Sequence, residues 1–343
     1  MDLQERVSRI KALEKTRNTR VLAYVTGDRG PDLQTRIGMD IIPLFYDVLA
    51  RMGKQPEIDL FIYSTGGVTM AAWGLVNLLR EFCDSLTVLV PFKAYSSATL
   101  IALGANGIIM SKMGQLSPVD PTVNSPFNPT LPSEVPGAPP NFLPLSVEDV
   151  VSFMDLVRDE AKINAEAYIA EIVKVLASDV RPIALGNVYR AKQQIGMLAR
   201  KLLSFHMDSA QQESRINHIV ETLTRKLYSH DYLVGRKEAK DHVRLQVEEC
   251  SEALESEIMA LYDAYAEDLE LATAFNPELV LGNQTTKVVE FDRAFIESSD
   301  CTYVFHTKRE FKRVRTTKEG IQLEGFQHRT LEDAWRIQAR KTA

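Results

Sequence analysis

The 343 residues are enough for two domains or for one large domain with additions, and 45% hydrophobic with 25% charged residues is typical of a globular protein with a substantial core. A formal charge of −6 without a basic block argues against nucleic acid as the main ligand. The three cysteines form no CxxC pair and the six histidines show no HxxxH or HxH spacing, so neither a disulfide framework nor a metal site is predicted.

The N-terminus is charged and lacks the apolar segment of a signal peptide. No run of about 18 apolar residues occurs, so the sequence predicts a cytoplasmic protein without a transmembrane segment, with peripheral membrane contact left open. Neither GxxxxGK[ST] nor GxGxxG is present, and no cofactor is expected.

The first elements in chain order predict an α/β fold. Residues 1–19 predict an exposed helical arm that packs on the protein or contributes to oligomer contacts. From residue 20, strands alternate with helices, which predicts a sheet with right-handed crossovers. The expected strands are 20–26, 58–63, "LTVLVPF" and "GIIMS"; the expected helices are 35–53, "VTMAAWGLVNLLREFC" and a helix that starts at Ser97.

The later elements are more varied. The segment 117–145 holds nine of the fifteen prolines and cannot be one regular element, so it either borders a site or serves as a surface connector. Helices are expected from Ser146, as N-cap, to about residue 228. A helical extension over 246–283 and a small antiparallel β appendage over 284–343 complete the predicted chain.

Two strand-to-helix turns could carry chemistry. In "FIYSTGGVTM" the pair Gly66-Gly67 leaves backbone N–H groups uncovered at a helix N-terminus, where they either form a simple turn or polarise an oxyanion. In "PFKAYSSATLIALGA" Ser96 either caps the following helix or serves as a nucleophile. The conjunction of both turns in one sheet favours an oxyanion hole beside a nucleophile.

These segments resemble a known family. "IDLFIYSTGGVTMAAWGLVNLL" resembles the glycine-pair segment of ClpP/crotonase-fold serine proteases. "YSSATLIALGANGIIMSKMGQLSPVDP", "RPIALGNVYRAKQQI" and "SHDYLVGRKEAK" resemble segments of the serine dehydrogenase proteinase (SDH) family, which is related to signal peptide peptidase A. The resemblance covers roughly residues 20–245 and implies a ClpP/crotonase-like fold of stacked ββα units with helical additions.

Residue by residue, the resemblance implies roles for four positions. Ser96 takes the place of the nucleophile, and Ser97 is the weaker choice because "TLIAL" fixes the register. The N–H groups of Ser97 and Gly67, with Gly66, match the oxyanion hole. Tyr95 stands where close relatives have histidine.

The general base is not fixed by the sequence. The histidine of ClpP-type enzymes is absent after "GIIMSKMGQ", and the next histidine is His206. A lysine, as in signal peptide peptidase A, is one alternative, and a buried lysine can have a lowered pKa. The lysine candidates are Lys162, Lys174 and Lys192. His230 with Asp231 is the other alternative, and Asp120 either orients a base or caps a turn.

The sequence therefore predicts a serine endopeptidase of the Ser-Lys or Ser-His type that acts on peptides or unfolded proteins and forms a homo-oligomer, as the resemblance implies. The alternative is an inactive ClpP-fold scaffold or peptide-binding module. An acyl-CoA-handling crotonase relative is a third possibility, for which no adenine pocket or catalytic carboxylate is evident.

Overall fold

The computed structural model describes residues 3–30, 33–120, 122–131, 141–318 and 321–338. The helices are α1 (Leu3–Arg17), α2 (Ile41–Met52), α3 (Thr69–Phe82), α4 (Ser97–Leu103), α5 (Val147–Asp155), α6 (Glu166–Asp179), α7 (Pro182–Leu203), α8 (Glu213–Glu221), α9 (Arg236–Asp241), α10 (Glu252–Asp268) and α11 (Pro277–Leu281), with π-helical segments at Leu156–Glu160 and Thr222–Lys226. The strands are β1 (Arg20–Thr26), β2 (Gln55–Tyr63), β3 (Cys83–Val90), β4 (Lys93–Ala94), β5 (Gly107–Met110), β6 (Gln115–Leu116), β7 (Thr122–Val123), β8 (Thr130–Leu131), β9 (Asn141–Phe142), β10 (Leu145–Ser146), β11 (Val234–Gly235), β12 (Thr286–Ser298), β13 (Thr302–Lys318) and β14 (Ile321–Ile337).

The chain divides into two compact units. The first comprises Met1–Leu116 and Val234–Ala343, and the second comprises Ser117–Leu233. The predicted peptidase domain over 20–245 includes residues of both units, and the predicted boundaries at 19, 245 and 283 stay predictions.

The first unit is built around a seven-stranded sheet with the order β14-β13-β12-β1-β2-β3-β5. Strands β1, β2, β3 and β5 are parallel, as the alternation of strands and helices predicts. The fold of this unit is therefore α/β, as predicted. Strand runs such as "VLAYV" are apolar throughout because helices cover both faces of the parallel part.

The C-terminal strands extend this sheet instead of forming a separate small appendage. Strand β12 pairs antiparallel with β1, with Leu22 opposite Ser298, and β13 and β14 follow in antiparallel order. The physical reason is that β1 has an open edge whose backbone N–H and C=O groups need partners. The predicted β-rich region is correct in type, but it belongs to the central sheet.

Helices pack on the two faces of the sheet according to the alternation of side chains along each strand. Val21, Ala23 and Val25 of β1 lie in one apolar cluster with Ile10 of α1 and residues of α10 such as Ile258. The intervening Tyr24 faces the other way, and its ring meets Phe45 of α2 edge-on at 5.3 Å between centroids. Helix α3 packs against α2, and α4 packs against α3.

The N-terminal helix is not an exposed arm. Ile10 and Leu13 are fully buried in the core, and α1 lies against α10. The buried Arg6 donates from Nε to Glu297 Oε2 at 2.9 Å and also pairs with Asp268. The burial of this otherwise charged helix rests on a few apolar positions and one paired arginine. Residues 3–17 are therefore part of the first unit's core.

We expect Arg6→Met to lower the free energy of unfolding by about 3 kcal/mol, because Glu297 would remain buried without its cation. The exposed Arg9, which pairs with Glu5 on the same helix, provides the control. Arg9→Met should change stability by less than about 0.5 kcal/mol. Urea unfolding followed by circular dichroism measures both, and equal stability of the two variants would contradict the structural role of Arg6.

The second unit is mainly helical, as predicted. Ser146 caps α5 by accepting the Asp149 N–H at 3.1 Å. In the described part of the proline-rich segment, short antiparallel pairs form between β7 and β10 and between β8 and β9. The buried Asn128 side chain ties this segment together through the Val123 and Leu143 carbonyls. Residues 121 and 132–140 of the predicted loop lie outside the described residues. Within the described parts of both units, no helix is both long and apolar enough to cross a bilayer.

Candidate active site

The carboxyl ends of the parallel strands meet at one edge of the sheet, and both turns singled out from the sequence lie there. Ser64 follows β2 and Ala94 belongs to β4, and the two residues form a parallel bridge. The Ser64 N–H donates to Lys93 O at 2.9 Å, and the Tyr95 N–H donates to Ser64 O at 3.0 Å. The glycine turn and the serine turn are thus held side by side by backbone hydrogen bonds.

Gly66 lies in direct contact with Ser96. A Cβ atom on Gly66 would lie 2.8 Å from the Ser96 Cβ, 2.8 Å from Tyr95 O and 3.3 Å from the Ser96 Oγ. Gly66 also has a φ of +98°, which L side chains rarely adopt. Glycine is therefore required here for two reasons, and the absent side chain leaves room for the serine hydroxyl.

Ser96 has a strained backbone. Its φ of 53° and ψ of −114° are unusual for a residue with a side chain, and its hydroxyl makes no capping hydrogen bond to α4. Such conformations persist when the surrounding structure enforces them, and they are concentrated at functional sites. The capping role that the sequence left open for Ser96 is therefore not the one found.

The two serines differ in accessibility. Ser96 is half-buried, whereas Ser97 is 0% exposed. The Ser97 Oγ is buried and has no hydrogen-bond partner among the described residues. Ser97 is the first residue of α4, a helix buried all round, so its hydroxyl is directed into the protein. Of these two serines, Ser96 is the one that can present its hydroxyl to a ligand.

The Gly67 N–H is an available donor in the glycine turn. The Gly66 N–H donates to the Ser64 Oγ at 3.0 Å, and the Val68 N–H donates to Ile37 O at 2.8 Å. The Ile37 N–H donates to Gly66 O. The hydrogen bonds that Ile37 makes with Gly66 and with Val68 therefore lie on either side of Gly67. Neither the Gly67 N–H nor the Ser97 N–H, the first of α4, donates to an acceptor in the described part of the chain.

Hydroxyl groups that sequence reasoning missed hold both turns in place. The Thr26 Oγ1 donates to the Ser64 Oγ at 2.8 Å, and the Ser64 Oγ accepts the Gly66 N–H. The Thr99 Oγ1 donates to Ala94 O at 2.8 Å, which closes the turn around Ser96. A hydroxyl residue two positions before the glycine pair was the available signal for Ser64.

A charged pair lies beside the serine turn. The Lys93 Nζ lies 2.5 Å from Asp28 Oδ2, and Tyr63 donates to Asp28 Oδ1 at 2.9 Å. Tyr95 donates to Gln115 Oε1. Burial raises the pKa of Tyr95, and the Asp28 carboxylate raises it further. Tyr95 is therefore a protonated hydrogen-bond donor at neutral pH, and Lys93 is paired with Asp28.

The predicted base candidates all belong to the second unit. Lys162 is exposed, with a φ of 56°, in the connection before α6. Lys174 is exposed and lies 2.6 Å from Glu171. Lys192 is half-buried, and His230 and Asp231 are exposed. Ser96, Ser97, Gly66 and Gly67 lie together in the first unit, and the identity of the proton acceptor stays a prediction.

Asp120 serves the local structure of the second unit. Its Oδ2 accepts the Ser146 hydroxyl at 3.2 Å, the same hydroxyl that caps α5. Burial raises the pKa of Asp120, while Ser146 and the nearby His230 lower it. This geometry fits the turn-capping alternative. Across the described residues, no cluster of three or more His, Cys, Asp or Glu side chains could hold a metal ion.

Comparison with known proteins relates the first part of the chain to a family of proteases. Residues 1–132 match the family of ClpP-like SDH-type serine proteinases. The resemblance seen in the sequence is confirmed for this SDH-type segment. For residues 133–245 it stays a prediction.

The alignments with individual relatives also cover only part of the chain. Two uncharacterized proteins of Methanocaldococcus jannaschii are 32% and 33% identical over 129 residues, which are 35% and 34% of this chain. The chain spans only 43% and 44% of their own lengths.

Two solved structures of the 1510-N membrane-bound stomatin-specific protease are 14% identical, with TM-scores of 0.34 and 0.35. One is a serine-to-alanine mutant and the other a lysine-to-alanine mutant in complex with a substrate peptide. Each match covers 66% of this chain and 79% or 75% of the other.

Proposed function

We propose that the chain is a serine endopeptidase in which the Ser96 hydroxyl attacks the peptide carbonyl. The observation that carries the proposal is the contact between Gly66 and Ser96, where an added Cβ would come within 2.8 Å of the serine Cβ. This contact supports a role for Ser96 as a nucleophile next to the glycine turn, whose N–H group would bind the oxyanion. The strained, half-buried Ser96 does not cap its helix, which supports the same role. A family of serine proteinases that matches residues 1–132 supports the same chemistry.

The oxyanion hole in this proposal consists of the Gly67 and Ser97 N–H groups. Both donors lie next to Ser96 or to Gly66, and neither has a protein acceptor in the described residues. The Ser97 N–H also lies at the N-terminus of α4, where the helix dipole favours negative charge. Preorganised donors of this kind stabilise the tetrahedral intermediate, and each contributes about 3 kcal/mol to the lowering of the barrier.

The substrate class is a peptide or an unfolded protein. Three apolar side chains next to the glycine turn are exposed: Met39 at 54%, Val68 at 47% and Met70 at 40%. Val68 directly follows Gly67, and its N–H is bonded to the segment that leads to Met39. An extended peptide with apolar side chains would cover this surface on its way past Ser96. The chemistry needs no cofactor.

The proton from Ser96 Oγ passes to a lysine or a histidine, which then gives it to the leaving amine before water hydrolyses the acyl-enzyme. Lys162 is the lysine candidate. His230, with Asp231, is the histidine candidate. We further propose that the protein is cytoplasmic and that it forms a homo-oligomer.

Variants at the two candidate bases test the type of catalysis. Cleavage of a dye-labelled unfolded protein is measured for Lys162→Ala and His230→Ala across pH 5 to 10. Loss of at least about tenfold in Lys162→Ala alone assigns a Ser-Lys enzyme, and the same loss in His230→Ala alone assigns a Ser-His enzyme. Full activity in both variants would contradict both assignments.

A further inference from the structure

Helix α6 is an amphipathic helix that the described residues of its own chain leave largely uncovered. None of its 14 residues is buried. Tyr168 is 67% exposed, Val175 63% and Val173 41%. A helix of this length is marginal in water unless tertiary contacts stabilise it. The described part of the chain therefore leaves these apolar side chains of α6 open to contact with a partner.

Helix α7 presents a second apolar surface in the same unit. One side of it is buried, whereas Tyr189 is 66% exposed, Ile183 57% and Met197 47%. Gly186 lies on the exposed side, and nothing lies within 4 Å of the position that its Cβ would take. Glycine in the middle of a helix costs about 1 kcal/mol relative to alanine, and here it leaves room for a close approach by another helix.

The two helices have opposite charge. Helix α6 contains three acidic residues and one lysine, which gives a net charge of −2. Helix α7 contains four basic residues and no acidic residue, which gives +4. The acidic residues are Glu166, Glu171 and Asp179, and the basic ones are Arg190, Lys192, Arg200 and Lys201.

We propose that α6 of one copy of the chain packs its apolar residues on the exposed side of α7 of a second copy. Apolar side chains would meet in the centre of this contact and opposite charges would surround them, as in stable interfaces. Every copy carries both surfaces, so the contact repeats and closes as a reciprocal pair or a ring. An anionic membrane surface is a poor occupant because α6 is acidic. The contact does not depend on the chemistry of Ser96.

Variants that are matched in chemistry test the contact through the mass in solution. Wild type should have two or more times the chain mass of 38.6 kDa by light scattering at about 50 μM. Val175→Arg on α6 and Tyr189→Glu on α7 should each be a monomer, because each places a charge opposite a surface of the same sign. Tyr228→Glu is the control, since Tyr228 is 79% exposed but lies outside both helices. It should keep the wild-type mass.

Mixing the two monomeric variants is the decisive test of the contact between α6 and α7. Tyr189→Glu retains an intact α6 and Val175→Arg retains an intact α7, so an equimolar mixture should form 1:1 heterodimers. No association in the mixture, or a wild-type mass for Tyr189→Glu alone, would overturn the proposal. A monomeric wild type would overturn it as well, and binding of that monomer to phosphatidylcholine vesicles would assign α6 to a membrane instead.

Discussion

Ser96→Ala should reduce the cleavage of an unfolded protein substrate by at least about 1,000-fold while the protein remains folded. The reason is that the Ser96 Oγ would lie 3.3 Å from a Cβ on Gly66, whereas the neighbouring Ser64 hydroxyl is buried and accepts the Gly66 N–H within the turn. The remaining rate would come from substrate binding and the oxyanion donors alone. Initial rates with a dye-labelled casein measure the effect.

Ser97→Ala is the matched control for this variant. Its hydroxyl is buried and makes no hydrogen bond among the described residues, so its loss should leave stability unchanged or slightly higher. The backbone N–H of residue 97, which the proposal uses, is retained. Activity should therefore stay within about twofold of wild type. Loss of activity in Ser97→Ala together with full activity in Ser96→Ala would exchange the two roles and contradict the account.

Gly66→Ala should lower kcat by about 100-fold, because the new methyl group would push against the Ser96 Cβ and the Tyr95 carbonyl at 2.8 Å. The positive φ of 98° adds backbone strain, and we expect a loss of about 1–3 kcal/mol in the free energy of unfolding. Steady-state kinetics on a fluorogenic peptide and urea unfolding give the two numbers.

Gly196→Ala separates this effect from glycine replacement in general. Gly196 lies inside α7, and nothing lies within 4 Å of its Cβ position. Alanine there should raise stability by about 0.5–1 kcal/mol and leave kcat unchanged. A Gly66→Ala enzyme with wild-type kcat would show that the geometry of Ser96 does not depend on this contact.

Much of the fold was predictable because the relevant signals are local. The parallel strands β1, β2, β3 and β5 have apolar runs separated by helices, and these runs predict buried strands directly. The pairing of β12 with β1 was not predictable, since an edge strand has many possible partners. The burial of α1 was missed for a related reason: its core contacts come from only a few positions, such as Ile10, in a highly charged helix.

The candidate site also contains some residues that could be predicted from the sequence and others that could not. Gly66, Gly67 and Ser96 could be proposed as site residues because glycine pairs and serines at strand-to-helix turns are visible in the sequence. Ser64 was missed because its role depends on the direction of a hydroxyl, toward the Gly66 N–H, which a sequence does not encode locally. The proton acceptor depends on long-range placement of a lysine or histidine, and helical periodicity says nothing about that placement.

Labelling with a fluorophosphonate probe tests the central claim most directly, because this reagent reacts with an activated serine and not with a capping one. Tryptic digestion after Lys93 yields the peptide over 94–112, in which fragmentation distinguishes Ser96 from Ser97 and Ser111. We predict an adduct on Ser96 in wild type and in Ser97→Ala, and none in Ser96→Ala. Absence of an adduct from folded wild-type protein would contradict the peptidase assignment and favour a non-catalytic scaffold.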